Sequence, residues 1–315
     1  MTEPTIPVIA LGHQHPRLIA GLKERFVVHE LPADADPAAL SDAVRQARGL
    51  TSFGTVGASN AMLDALPGLE ILSLCSVGYD KVDVEHCRAR DIRVTNTPDV
   101  LTDDTADLGV ALLYATFRNI AANDLFVRSG QWAQGKKPPL ARKLTGRRIG
   151  ILGLGRIGRA IARRLEAVAG EILYHGRHEQ ADAPYRFVAD RIDFARECEV
   201  IVVATAGGAG TAGLVDAAML DALGPDGVIV NIARGSVIDE GALVTALAEK
   251  RIRAAGLDVF VAEPQVPAGL LAMDNVVLQP HQGSATEETR LAMAELVLAN
   301  LDAHFAGDPL PTAVV

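Results

Sequence analysis

The segment Arg148-Ile149-Gly150-Ile151-Leu152-Gly153-Leu154-Gly155-Arg156-Ile157-Gly158 constrains this chain more than any other. An apolar, strand-like run enters G-x-G-x-x-G and continues into the amphipathic helical pattern of Arg159–Ala167. Gly153 permits the tight turn, Gly155 lets a pyrophosphate approach the backbone, and Gly158 lets helix and strand pack closely. The free N–H groups at the helix N-terminus then face the phosphates. A second strand-like run, Glu171–Tyr174, follows. Strand, glycine turn, helix and strand in that order predict a dinucleotide-binding unit inside a parallel sheet.

Length and composition fit that frame. A chain of 315 residues is about twice the ~150-residue norm for one domain, which predicts two. Hydrophobic residues at 49% and charged residues at 22% supply ordinary cores and exclude a disordered chain. Aromatics at 4% leave those cores to small aliphatic side chains, as in buried parallel sheets. A net charge of -9 argues against nucleic acid as a partner, because phosphate binding needs clustered cations. Cys75, Cys87 and Cys198 are too few for a disulfide framework and match no metal spacing, so buried inert thiols and no metal are expected. His13-Gln14-His15-Pro16-Arg17 interrupts the first apolar stretch, so no signal peptide is expected. No apolar run reaches the ~18 residues of a membrane span, which makes a cytoplasmic protein the expectation.

Strands and helices alternate along the chain. Thr5–Gly12, Glu70–Leu74 and Val200–Ala204 read as buried strands, and Ala38–Gln46 and Val82–Ala89 as helices. From Thr102, a candidate cap, to about Ser129 the pattern predicts one long helix, with Leu108–Phe117 apolar on nearly every face and so buried on both sides. Gly130–Thr145 reads as a long loop, of the length that tends to carry function. Ser284 and Glu287 suggest a capping box for a last helix reaching about Phe305.

The end of the second strand chooses the cofactor. A carboxylate about 20 residues past the first glycine usually holds the ribose 2′-hydroxyl of NAD. Here the run is Tyr174-His175-Gly176-Arg177-His178, with Gly176 lying 176 − 153 = 23 residues on and no acid at the tip. A 2′-phosphate fits where a carboxylate would repel it, and Arg177 offers a planar fork for it. NADP(H) is therefore expected ahead of NAD(H); the plainer reading makes Arg177 a solvated loop residue.

Three later strands end in polar residues. Gly227–Ile232 leads to Ala233-Arg234-Gly235, Ala254–Leu257 to Asp258-Val259-Phe260 with Glu263-Pro264 behind, and Asn275–Gln279 to Pro280-His281-Gln282-Gly283. Ligands bind at this edge of an open α/β sheet. An arginine there can hold an anion and polarise a carbonyl, a histidine can move a proton near neutral pH, and a carboxylate can orient the imidazole. Singly, each has a structural reading; together and in this order they point to chemistry.

With Ser76-Val77-Gly78-Tyr79-Asp80 and Asn96-Thr97-Pro98-Asp99 added, the set resembles the D-isomer-specific 2-hydroxyacid dehydrogenases over essentially the whole chain. Within that family it is similar to the glyoxylate/hydroxypyruvate and hydroxyphenylpyruvate reductases. The resemblance implies an α/β fold of two doubly wound parallel-sheet domains with a cleft between them. The substrate domain, flavodoxin-like, would span residues 1–99, completed by 284–315, and a Rossmann cofactor domain residues 100–283. It implies His281 as general acid with Glu263 as its partner, and Arg234 on the substrate's carboxylate and carbonyl. Val77 and Gly78 would bind the carboxylate through their N–H groups, and Asp258 the nicotinamide carboxamide. Beside the three glycines, Gly176 and Arg177, it places Arg156, Ile157, His178, Thr102, Ile232 and Gly283 at the cofactor.

Phe53 and Thr55, after another strand, are candidates to line the substrate pocket, with core packing the equal alternative for Phe53. Trp132, the lone tryptophan, sits in the long loop. In the resembling reductases this region forms part of a homodimer contact and a Trp reaches the neighbour's site, so a homodimer acting on a small 2-oxo acid is expected. The other reading of Trp132 is an anchor for its own loop. Some corepressors resemble the same family and would make the protein a dinucleotide-sensing regulator; no added interaction tail is expected after the last helix.

Overall fold

Short runs of Val, Ile and Leu bounded by turns become strands buried on both faces, and helices cover them. The computed structural model describes residues 5–315. It divides into two compact units: residues up to Leu101 with Ser284–Val315, and Thr102–Gly283.

The first unit holds β1 (Pro7–Leu11), β2 (Val27–Leu31), β3 (Gly49–Ser52), β4 (Ile71–Leu74) and β5 (Arg93–Thr95). They pair in parallel in the order β2-β1-β3-β4-β5. This is the flavodoxin-like order, whose connections reverse direction between β1 and β3. Ile9, Leu50, Leu72 and Leu74 form the centre of its core. The helix Glu287–Ala306 packs on the helix Pro16–Arg25 so closely that a Cβ at Gly21 would lie 2.4 Å from Leu298. The chain then ends against β5, with the Val94 N–H donating to the Val315 carbonyl at 3.0 Å.

The second unit holds β6 (Arg148–Leu152), β7 (Glu171–His175), β8 (Arg186–Phe187), β9 (Val200–Val203), β10 (Val228–Asn231), β11 (Ala254–Leu257) and β12 (Val276–Leu278). Its order is β12-β11-β10-β9-β6-β7-β8, again all parallel. The direction reverses between β6 and β9, as in a Rossmann sheet. Both sheets are of the kinds expected. No described helix is long and apolar enough to cross a membrane.

Three stretches of the chain depart from the local expectations. The stretch from Thr102 is two helices, Thr102–Phe117 and Ile120–Arg128, because Asn119 turns left-handed at φ 52° and the Arg142 N–H takes the Phe117 carbonyl. Thr102 is the first helical residue rather than a cap ahead of it, and Ala111 and Tyr114 leave one side of that helix exposed. The last helix is capped by Thr286, whose hydroxyl accepts the Thr289 N–H at 3.1 Å, not by Ser284. Ala38–Gln46 is not one helix: Asp36 caps a single turn at Pro37–Ala39, and Ser41 starts a separate one at Asp42–Arg45. Such short polar side chains compete with continuous helix.

Candidate active site

The glycine turn after β6 is built as a phosphate cradle. Gly153 stands at φ 97°, where an added Cβ would lie 2.6 Å from the Thr205 backbone, and a Cβ at Gly158 would lie 2.1 Å from the Gly153 carbonyl oxygen. At Gly155 an added Cβ would meet nothing within 4 Å, so the turn is open on the side a ligand needs. The helix Arg156–Leu165 starts there without a side-chain cap, leaving its first N–H groups to solvent or a ligand. Arg156 is exposed and Ile157 half-buried.

Beyond the tip of β7, Gly176 also faces open space, and Arg177 and His178 are exposed beside it. The loop is tied back to the glycine turn: Gln180 donates to the Leu154 carbonyl at 2.9 Å and bonds Arg159, while the Tyr174 hydroxyl accepts the Gln180 N–H at 2.7 Å. These residues fit a dinucleotide with a 2′-phosphate.

On the other side of β6 and β9, the ends of β10, β11 and β12 converge. Asn231 fixes the turn that carries Arg234: its Oδ1 accepts the Ala233 N–H at 3.0 Å and its Nδ2 donates to the Arg234 carbonyl at 3.0 Å. Gly235 is needed next, since a Cβ there would lie 2.0 Å from the Phe260 backbone. That contact brings the Arg234 turn against the Phe260–Glu263 turn. Glu263 Oε1 accepts the Phe260 N–H at 2.9 Å, and Oε2 lies 2.7 Å from His281 Nδ1. Burial would raise the Glu263 carboxyl, but the His281 bond, the Phe260 N–H and the charges on His281 and Arg234 together hold it below the usual range.

His281 is posed by Asp258. Its N–H donates to the Asp258 carbonyl at 2.8 Å, and the next two N–H groups, of Gln282 and Gly283, bind the Asp258 carboxylate at 2.6 and 2.9 Å. Asp258 is only 1% exposed, and burial raises its carboxyl despite those two donors and the His281 charge. The turn so held puts His281 at φ 55°, a conformation histidine tolerates better than most side chains. Asp258 thus serves first as anchor of the histidine turn. Ile232 is buried, in contact with the helix Thr102–Phe117.

In the first unit, the ends of β3 and β4 meet. An added Cβ on Gly54 would lie 2.3 Å from both the Gly78 carbonyl and the Ser76 hydroxyl. Ser76 donates to the Gly78 carbonyl at 2.7 Å and Asn96 to the Val77 carbonyl at 2.9 Å, which fixes the loop carrying Val77 and Gly78. Phe53 is half-buried, with the guanidinium of Arg290 5.1 Å from its ring centre, while Thr55 is exposed. Arg290, close behind Glu287 and Glu288 in the sequence, was not anticipated. Trp132 stands 66% exposed in the stretch without helix or strand that follows Arg128.

Residues 110–283 match the D-isomer specific 2-hydroxyacid dehydrogenase, NAD binding domain. The chain belongs to the D-isomer-specific 2-hydroxyacid dehydrogenases. Within that family it is 46% identical to the hydroxyphenylpyruvate reductase of Plectranthus scutellarioides over 90% of each chain. It is 43% identical to the 2-ketogluconate reductase of Gluconobacter oxydans over 95% of this chain and 96% of that one. The crystal structure of the NADPH-dependent glyoxylate/hydroxypyruvate reductase of Sinorhizobium meliloti, solved with NADP and malonate, superposes with a TM-score of 0.94 at 41% identity, covering 100% of this chain and 97% of that one. As in the rest of the family, the second unit is a nicotinamide-dinucleotide-binding domain.

Proposed function

We propose that this dehydrogenase reduces a small 2-oxo acid of the glyoxylate or hydroxypyruvate type to the D-2-hydroxy acid, with NADPH as the preferred cofactor. The observation that carries the reading is the Arg234, Glu263 and His281 constellation at the strand ends of a dinucleotide-binding sheet, with Glu263 2.7 Å from His281. The bound nicotinamide supplies the hydride. Val77 and Gly78 hold the substrate carboxylate through their N–H groups. Arg234 binds the carboxylate and carbonyl and stabilises the charge that develops on the carbonyl oxygen, where preorganised electrostatics contribute most. His281, its ring oriented by Glu263 through Nδ1, delivers a proton from Nε2 to that oxygen. Asp258 anchors the His281 turn, and its remaining lone pairs are the ones available to a carboxamide.

Steady-state kinetics with glyoxylate, hydroxypyruvate, phenylpyruvate and hydroxyphenylpyruvate, each with NADPH and NADH, test the reading. The two 2-oxo acids without a ring should have the higher kcat/KM. Preference for the arylpyruvates would move the chain to the activity named for the Plectranthus relative, and no turnover at all would favour a regulator. Open space at Gly176 also lets a carboxylate be built there without a clash. Gly176→Asp should lower the NADPH-to-NADH ratio of kcat/KM about tenfold or more, a difference of ~1.4 kcal/mol. A native enzyme with equal kcat/KM for both cofactors would contradict the preference.

The assembly proposed is a homodimer. Along the helix Ile120–Arg128 no residue is buried, although Ile120, Leu125 and Val127 are apolar and Leu125 is 68% exposed. Trp132 and Leu140 extend the same exposed apolar stretch. So many exposed apolar side chains within one segment of the chain support an interface there. Sedimentation should give a dimer at micromolar concentration, and Leu125→Glu should shift it toward monomer. Trp132→Ala should raise the KM of at least one substrate; unchanged KM values throughout would confine Trp132 to its own loop.

A further inference from the structure

Arg290 occupies a position that folding alone does not explain. It lies in the first turn of the helix Glu287–Ala306, the positive end of the helix dipole, where a cation is disfavoured. The side chain is more than half withdrawn from solvent, and burial lowers the guanidinium from its usual range. Among the described residues no carboxylate lies within 4 Å of it and it donates no hydrogen bond; Glu287 and Glu288 of the same turn are exposed and do not pair with it. Its neighbours are the Phe53 ring, 5.1 Å from the guanidinium carbon, and the buried Cys75 thiol, which burial pushes up to about 12 and so keeps neutral. Departures from local rules without compensation inside the fold concentrate at functional sites.

Its location says which function. Phe53 follows β3 and Cys75 follows β4, the C-terminal edge where open parallel sheets bind ligands. The Gly54 backbone presses on Ser76 and Gly78, so the Phe53 turn and the Val77–Gly78 loop are one surface. An arginine whose five donors are unspent in the fold, stacked on an aromatic ring that limits its rotamers, is suited to bind oxygen on a ligand.

We infer that Arg290 is a specificity residue that binds an oxygen-bearing group on the C3 side of the substrate, so that 2-oxo acids carrying a hydroxyl or carboxylate there are selected over those ending in a methyl group. The inference rests on the function proposed above, in which Val77 and Gly78 hold the C1 carboxylate. It adds a second polar anchor beyond the one common to every 2-oxo acid. A site that bonds a substrate hydroxyl discriminates strongly against the analogue lacking it, because the protein donor is then left unpaired.

Hydroxypyruvate and pyruvate differ only in that hydroxyl. The native enzyme should favour hydroxypyruvate by about 10- to 100-fold in kcat/KM, the range of a hydrogen bond to a charged group. Arg290→Met, similar in length and apolar, should bring the ratio close to one whatever it does to the absolute rates, and Arg290→Lys should leave it in between. Calorimetric binding of D-glycerate and D-lactate to the NADPH-saturated enzyme gives the same contrast without turnover. D-glycerate should bind more tightly to the native protein and no more tightly to Arg290→Met. A native enzyme that treats the two pairs alike overturns the inference, even where the variants fail to fold. So does an Arg290→Met enzyme that lowers both substrates equally, which would make Arg290 a structural residue. Discrimination in binding with no reduction of either substrate would instead overturn the proposed activity and leave Arg290 as an oxygen-binding residue.

Discussion

His281→Asn should lower kcat for 2-oxo acid reduction by about 10²–10⁴ at every pH, the usual worth of a positioned general acid. Asparagine is the informative replacement because His281 stands at φ 55°, a left-handed position that asparagine adopts and alanine resists. The turn, tied to Asp258 through three consecutive N–H groups, should then stay in place, so the loss reports the proton and not the fold. Glu263→Gln tests the partner separately. The glutamate is held ionised below the usual carboxylate range, in spite of burial, by His281, the Phe260 N–H and Arg234. Its charge therefore persists across the neutral range, 2.7 Å from the imidazole. A glutamine keeps a hydrogen-bonding side chain but lacks the charge. kcat/KM for reduction should fall, because the ring that hands over the proton loses its charged partner. A Glu263→Gln enzyme with native kcat/KM would mean that the carboxylate's charge plays no part in the transfer.

Arg234→Met should cost about 10²–10³ in kcat, the loss typical of removing one donor from a developing oxyanion, and should raise KM for the substrate as well. The effect on both constants follows from the proposed double contact, to a carboxylate present throughout and to an oxygen that gains charge only in the transition state. Arg234→Lys should recover part of KM, since a point charge still attracts the carboxylate, and little of kcat, since the planar fork is lost. The scaffold argues that such losses stay local. Asn231 holds the Arg234 turn through backbone groups alone, and Gly235 sets its distance from Phe260, so neither contact uses the guanidinium. An Arg234→Met enzyme with native kcat would remove Arg234 from the chemistry.

The parallel sheets and their strand-end residues were legible in the sequence because each strand is a short apolar run closed by a glycine or a polar turn. Arg234, Asp258 and His281 each stand one to three residues past such a run. What escaped notice was decided by contacts distant in sequence. The helix break at Asn119 depends on the Arg142 N–H capturing the Phe117 carbonyl, which no local pattern announces. Ser284 was read as the cap of the last helix, but the Gly283 N–H is already committed to the Asp258 carboxylate, and the helix begins only after the chain has left that turn. Asp258 was read as a cofactor ligand, and its hold on the backbone of residues 281–283 emerges only when β11 and β12 lie side by side. Arg290 escaped for the same reason: the groups that act on it, the Phe53 ring and the Cys75 thiol, lie more than 200 positions earlier in the chain.

Transfer of a labelled hydride tests the central claim most directly. With hydroxypyruvate or glyoxylate and NADPH carrying deuterium at C4 of the nicotinamide, supplied separately in each stereochemical form, the product should carry deuterium at C2 from one form only. The glycerate formed from hydroxypyruvate should be entirely of the D configuration. Unlabelled product from both forms, or glycerate of the L configuration, would contradict the account.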